Sequence, residues 1–230
     1  MSDSKTKEKQ YQFMVDMLEK KGPVTMTCRP SVMWRQDPKL LGFTLARHKF
    51  VAKMLTGYSR VLEVGCGDAF ASRLIHPEVK ELHAIDFDPV FIQEAIKHKE
   101  PDWPVTLAVH DILTGPYLLD GNLFDAAFSL DVIEHIPTER EHAYLKNICL
   151  SLKPGGAFIC GCPSLESQVY ASPASKEGHI NCKSGKDLKK LLSQYFDHTF
   201  LFGMNDEVLH TGFSPMCHYL FVLAVGNKNI

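Results

Sequence analysis

The 230-residue sequence has no apolar run near the ~18 residues that a membrane-spanning helix needs, and its first ten residues, MSDSKTKEKQ, lack the apolar stretch of a secretory leader. A cytoplasmic protein with no membrane partner is expected. Basic charge is not in excess: 25 Lys and Arg stand against 27 Asp and Glu, a formal net charge of -2. That balance supplies no general field for gripping a phosphate backbone and argues against nucleic acid as a partner. Nor is there a dense cysteine framework, because seven cysteines, an odd number, are spread over the whole chain. They read as reduced thiols. The one close pair, Cys160 and Cys162, has a single-residue spacing that fits a strand better than a C-x-x-C zinc or redox knuckle. No internal repeat, low-complexity tract or long linker divides the chain. What remains is an ordinary globular composition, 45% hydrophobic and 23% charged, which calls for one core.

Periodicity then supplies the layout. Residues 1–10 are polar with nothing apolar to anchor them, and are expected to fray. Helical spacing follows in YQFMVDMLEKK, residues 11–21, ended by Gly22-Pro23, and again from about Pro38 to Leu55. Residues 1–57 are thus expected to form a helical cover, with Arg29, Trp34 and Arg35 of CRPSVMWRQDP as clamps that close over a ligand and exclude water. From residue 59 onward the pattern changes to short apolar runs alternating with amphipathic segments: SRVLEV, ELHAID, VTLAVHD, FDAAFSLD, GAFICGCP, HTFLFGM and HYLFVLAV. Such alternation marks an α/β class with a mostly parallel sheet, since parallel neighbours need crossover connections. Only a loop, NDEVLHTGFSPMC, separates the last two runs, so the last strand is expected to be antiparallel.

RVLEVGCGDAFASRLI reads as a strand, a glycine turn at Gly65-Cys66-Gly67 and a helix start. Glycine allows the main chain to approach a ligand closely. Alone, such a loop is also just a tight turn. About 20 residues on, however, HAIDFDP sets Asp86 at the end of the second strand, where a carboxylate can accept both hydroxyls of a ribose. A nicotinamide-binding loop would want a third glycine at residue 70, which is Phe.

EVGCGDA, Asp86, Asp111 in VHDIL, FDAAFSLD and SLKPGG at residues 151–156 together resemble, in order and spacing, the class I S-adenosylmethionine-dependent methyltransferases. The resemblance covers roughly residues 58–165, and Ala69 replaces the usual third glycine. It implies a Rossmann-like, seven-stranded, mostly parallel sheet with an antiparallel last strand and helices on both faces, filling residues 58–230. It implies S-adenosylmethionine as cofactor. Glu63, Gly65, Cys66 and Gly67 would surround its methionine end, Asp86 with Phe87 would take the ribose, Asp111 and Ile112 would flank the adenine, and Leu130 would offer its carbonyl to the amino group.

SLDVIEHIP, residues 129–137, places Asp131, Glu134 and His135 in an apolar segment expected to open a helix. Positions i, i+3 and i+4 share a helix face, so the three would converge. Two carboxylates beside an imidazole repel and resist burial, a conflict that a divalent cation resolves. A solvated helix start, with acids in its first turn, fits the same residues. DVIEH also resembles the acidic-x-x-Glu-His motif of metal-dependent O-methyltransferases, including ubiquinone-pathway and small-RNA 2′-O-methyltransferases. That resemblance implies an Mg, Mn or Fe(II)-like ion on Asp131, Glu134 and His135, completed by a distant histidine. His179 in SKEGHINCKS is the candidate, since loops after parallel strands open on one edge. Without a metal, His135 or His179 could serve as general base.

The loop after the fifth strand carries Gln168, Tyr170, Ser172, Ser175 and Lys176, and the loop after the sixth carries Asn205, Asp206, Glu207 and His210, groups suited to a polar acceptor. The expected reaction is therefore methyl transfer to a hydroxyl of a small polar or sugar-like molecule. N-methylation of a small amine, methylation of an RNA terminus, and donor binding without catalysis are the alternatives.

Overall fold

The strands form by the alternation described above, and their order in space creates the site. The protein is represented by a computed structural model in which residues 5–228 are described; residues 1–4 of the segment expected to fray lie outside them. The strands are β1 (Arg60–Val64), β2 (Glu81–Asp86), β3 (Thr106–Val109), β4 (Phe124–Leu130), β5 (Leu152–Pro163), β6 (Phe196–Asn205), β7 (Val208–His210) and β8 (Tyr219–Asn227). They make one sheet in the order β3-β2-β1-β4-β5-β8-β6-β7. Strands β1 to β5 pair in parallel, and β8 runs antiparallel to both β5 and β6. The chain reverses direction across the sheet between β1 and β4, which opens a crevice at their carboxyl ends.

An eighth strand is added to the expected seven. Residues 205–217, expected as a loop, include β7, which folds back on β6 through a turn at Asn205–Val208 in which Asp206 has φ 49.

Helices cover both faces. The described helices are α1 (Gln12–Lys21), α2 (Cys28–Gln36), α3 (Pro38–Met54), α4 (Pro89–Lys97), α5 (Glu141–Ser151), α6 (Pro173–Gly178) and α7 (Gly185–Leu192). One core packs α3 and α4, through Phe50, Val51, Leu55 and Ile92, on Val61, Leu82, Phe128 and Phe221 of the sheet. The other packs α5 and α7, through Tyr144, Leu145, Leu188 and Leu192, on Leu62, Ile85, Phe158 and Leu220. Near-continuous apolar strands are what a sheet covered on both sides requires. Cys160 and Cys162 share one face of β5 and are buried in the second core, and all seven cysteines are free thiols. No helix among the described residues is long and apolar enough to cross a membrane.

Of the N-terminal helices, α1 buries none of its side chains, whereas α2 packs against α3. Helix α3 starts where Asp37 accepts from the Lys39 amide at 3.1 Å and Pro38 occupies the first turn, a cap worth about 1 kcal/mol.

Two helices expected from the sequence do not form where anticipated. After the glycine turn the chain makes short 3-10 turns at Ala71–Leu74 and His76–Glu78, cut off by Pro77. After β4, VIEHI makes a single 3-10 turn at Ile133–His135; α5 starts six residues later. Asp131 has φ 56, outside the right-handed helical region, and Pro137 forces Ile136 into extended backbone.

Candidate functional site

The end of β1 meets the end of β2 through Gly65 and Cys66, whose amides both donate to the Ile85 carbonyl at 2.8 and 3.0 Å. Gly65 has φ 79, and a Cβ on it would lie 2.3 Å from Cγ2 of Val132, so only glycine lets the loop pass beneath the turn after β4. Ala69 at φ 53 takes up the left-handed conformation for which the missing third glycine would be suited, at a cost of about 1 kcal/mol. Asp86 is buried; its Oδ2 accepts from the Gly67 amide at 2.8 Å and its Oδ1 from the Asp88 amide at 2.9 Å. Two of the roughly four acceptor positions of the carboxylate are used, which leaves capacity for a ligand.

A cavity at this edge is lined by Glu63, Gly65, Cys66 and Leu130, together with Arg29 and His48. Glu63 is buried, with Oε1 at 3.5 Å from Nε2 of His48 and Oε2 unpartnered among the described residues. Burial, then the Glu63 charge, pushes the Cys66 thiol well up, so it is an inert wall. Asp86, Phe87, Asp111 and Ile112 are not among the walls of this cavity. Phe87 is exposed and Ile112 buried, and Asp111 accepts from the Leu113 amide at 2.9 Å. Arg29 joins the site from α2: its amide donates to the buried Asp68 at 2.6 Å and its guanidinium is 3.7 Å from Asp131. Trp34 and Arg35, expected to act with it, are exposed and are not among the cavity walls.

Asp131 departs from the expected ligand set. Arg47 of α3 grips both its oxygens, at 3.1 and 3.2 Å, and lies over the Tyr219 ring at 3.9 Å. Burial raises the Asp131 pKa, but Arg47 and Arg29 outweigh it and hold the carboxyl below its ordinary value. Asp131 is thus the anion of an arginine pair. Sequence reasoning missed Arg47, His48 and Tyr219 because nothing in the periodicity of α3 says which of its turns meets β4, or that the first residue of β8 lies beneath it.

Glu134, His135 and His179 do come together. Their ligand atoms lie within 4.8 Å of one another, although the helix expected to align Glu134 and His135 with Asp131 is absent. Two hydrogen bonds to the turn after β4 hold the end of α6 and the residues that follow it in place: His135 Nδ1 with the Gly178 carbonyl at 2.8 Å, and the Asn181 amide to the Glu134 carbonyl at 2.9 Å. His179 Nδ1 pairs with Gln168 Oε1 at 2.9 Å. Both imidazoles therefore donate from Nδ1 and keep the Nε2 lone pair free. The rings meet edge to face, 5.2 Å apart. Burial, then the neighbouring His135, lowers the His179 pKa and favours its neutral form.

Glu134 has 0% exposure, and neither carboxylate oxygen has a hydrogen-bond partner among the described residues. Burial, then the Asp131 charge, pushes its pKa well up. A buried carboxylate without a partner is costly, and the ligand-ready imidazoles beside it suit a divalent cation.

The other acceptor-side residues have local partners. Ser172 caps α6, Lys176 donates to the Val169 carbonyl, and Asn205 accepts from the His218 amide at 2.8 Å. His210 Nδ1 accepts from the Gly212 amide, Asp206 lies in the β6–β7 turn, and Tyr170 is 82% exposed with its ring edge toward His218. None of them lines the cavity at the glycine loop.

Residues 61–156 match a family model described as a methyltransferase domain. Over 102 residues the chain is 32% identical to phosphoethanolamine N-methyltransferase 2 of Caenorhabditis elegans, covering 43% of this chain and 22% of that protein. Over 147 residues it is 28% identical to the mitochondrial ubiquinone biosynthesis O-methyltransferase of Arabidopsis thaliana, covering 60% and 44%. The chain thus spans less than half the length of these curated relatives. Its fold is also that of the N-methyltransferase NodS from Bradyrhizobium japonicum, solved with S-adenosyl-L-homocysteine, at a TM-score of 0.59 and 18% identity over 96% of this chain and 100% of that one. Residues 61–156, which hold the glycine loop, Asp86 and the strand order around them, are thus similar to a methyltransferase domain, and the fold of the chain is that of solved methyltransferases.

Proposed function

We propose that this chain transfers the methyl group of S-adenosylmethionine to an oxygen of a small polar or sugar-like acceptor, with a divalent cation held by Glu134, His135 and His179. The observation that carries the reading is the buried, unpartnered Glu134 carboxylate beside two imidazoles that each keep a free Nε2.

On the donor side, Glu63 offers its unpartnered Oε2 and Gly65 and Gly67 their backbone to the methionine end, and Asp86 uses its remaining acceptor capacity for the ribose. Asp111 and Ile112 flank the adenine. Of the segment expected as a cover, α2 and α3 serve in that role, with Arg29 of α2 as the contact to Asp68 of the glycine loop. On the acceptor side a bound divalent cation would polarise a hydroxyl and lower its pKa. Gln168 and the Gly178 carbonyl orient the two imidazoles, and such partners tune ligand strength. The Arg47–Asp131 pair sets the wall between the two halves. Fixing acceptor and donor in line can supply about 7 to 11 kcal/mol of the barrier reduction.

The test is methyl transfer from labelled S-adenosylmethionine to a panel of catechols, hydroxy acids and sugars, with and without a chelator, for the natural protein and Glu134→Gln. Chelation and Glu134→Gln are each expected to cut turnover by about 100-fold or more. Turnover indifferent to both removes the cation and returns His135 or His179 as general base. Methylation of amines alone, resistant to chelation, replaces oxygen by nitrogen as the acceptor atom, in line with the N-methyltransferase relative.

A further inference from the structure

A cavity of ≈ 370 Å³ lies between the chain entering α2, the segment after the glycine loop and the far end of α4. Its walls include Thr27, Leu45, Phe70, Ala95, His98 and Trp103. The volume falls within the range of small-molecule sites, roughly 300 to 1,000 Å³. Helix α4 leads from β2 toward the start of β3, so His98 and Trp103 stand toward the sheet edge opposite the glycine loop.

Two polar groups of the wall are buried without partners. Trp103 is 6% exposed, and its Nε1 has no hydrogen-bond partner among the described residues. An indole N–H can only donate, and a buried one ordinarily finds an acceptor, because leaving it unpaired costs about 1 to 3 kcal/mol. Thr27, 4% exposed, has an equally unpartnered Oγ1. It stands at the N-cap of α2, where a threonine would normally turn its oxygen back onto the helix, yet its side chain makes no cap bond. Leu45, Phe70 and Ala95 supply apolar wall, and Arg73, His98 and Glu100 place charged or titratable groups on it as well.

We propose that this cavity is a second ligand site, separate from the donor site, for a compact planar molecule with an apolar body and a carbonyl or carboxylate oxygen. That oxygen accepts from Trp103 Nε1 and Thr27 Oγ1. Occupancy reaches the donor site by two routes. Phe70 is a wall of both cavities, and Thr27 opens the helix from which the Arg29 amide holds Asp68 of the glycine loop. A ligand here braces both segments and tightens donor binding. The binding itself is independent of the methyltransferase reading; the coupling rests on it.

The test follows the indole N–H resonances of ¹⁵N-labelled protein, whose two tryptophans are separated by a Trp34→Phe variant. The probes are 2-naphthoate, 2-naphthamide and 2-methylnaphthalene. One or both oxygen-bearing probes should shift the Trp103 resonance saturably, and comparing them tells carboxylate from carbonyl. 2-Methylnaphthalene should bind at least about tenfold more weakly, as loss of a buried hydrogen bond implies. Thr27→Val should weaken the binding several-fold and Ala95→Leu, which narrows the cavity, should abolish it. S-adenosylhomocysteine should bind more tightly when the probe is present. The site is overturned if neither oxygen-bearing probe gives a saturable shift, or if Thr27→Val and Ala95→Leu proteins that still bind S-adenosylhomocysteine normally bind the probe as before. Probe binding that leaves S-adenosylhomocysteine affinity unchanged overturns the coupling.

Discussion

At the end of β2 the Asp86 carboxylate accepts from two backbone amides, one of them in the glycine loop, whereas Glu134, after β4, is more deeply buried and accepts from none. Asp86 is held by the chain immediately around it, and a ligand adds to an acid already at rest. Glu134 is raised in pKa by burial and surrounded by groups from distant segments, so its neighbourhood is complete only with a proton or a cation in it. Asp86 is satisfied by backbone around it, whereas what surrounds Glu134 is set by long-range assembly.

The largest effect is expected where the two halves join. Asp131→Asn keeps a residue tolerant of the left-handed backbone but leaves the half-buried Arg47 without its anion, and should lower stability by about 2 to 3 kcal/mol in chemical denaturation. Mn²⁺ affinity should hardly change; a collapse of Mn²⁺ binding in a folded variant would restore Asp131 to the ligand set. Next comes Asp86→Ala, which removes the acceptor of the Gly67 amide as well as that of the ribose, and should weaken S-adenosylhomocysteine binding roughly 10- to 100-fold by calorimetry. Metal affinity should be spared.

Gln168→Leu probes the other half. It frees His179 to change tautomer and should cost about 10-fold or more in Mn²⁺ affinity, with S-adenosylhomocysteine binding untouched. Equal losses in both affinities would dissolve the distinction between the halves.

The smallest effect concerns His83 on β2, away from both. Burial lowers its pKa, so the folded protein binds fewer protons than the unfolded chain below the ordinary value of 6.5. Stability from the neutral ring is present above that pH and is lost as pH falls through the window beneath it. His83→Gln should show a smaller fall in Tm between about pH 7.5 and 5.5 than the natural protein. Identical falls would assign the acid sensitivity elsewhere.

Much of the donor half was legible because its parts are close in sequence and each has a local backbone cause. The strand before Gly65, the turn itself and Asp86 all lie within residues 60–86. The acceptor half was legible as a set of chemical types but not as geometry. The expected helix face could not form with Asp131 at positive φ and Pro137 six residues on, yet Glu134, His135 and His179 still meet through the bond from His135 to Gly178. Residues with side chains satisfied nearby, such as Ser172 and Lys176, look the same in sequence as residues that await a ligand.

By itself, then, the sequence determined the α/β class, the parallel strands and the donor loop, because hydrophobic period and glycine turns act over a few residues. Only the tertiary structure decided that Asp131 belongs to Arg47, 84 positions away, and that Glu134 is left to the histidines. Burial and pairing depend on which distant segments arrive at the same sheet edge, and charge is stabilised or stranded only there.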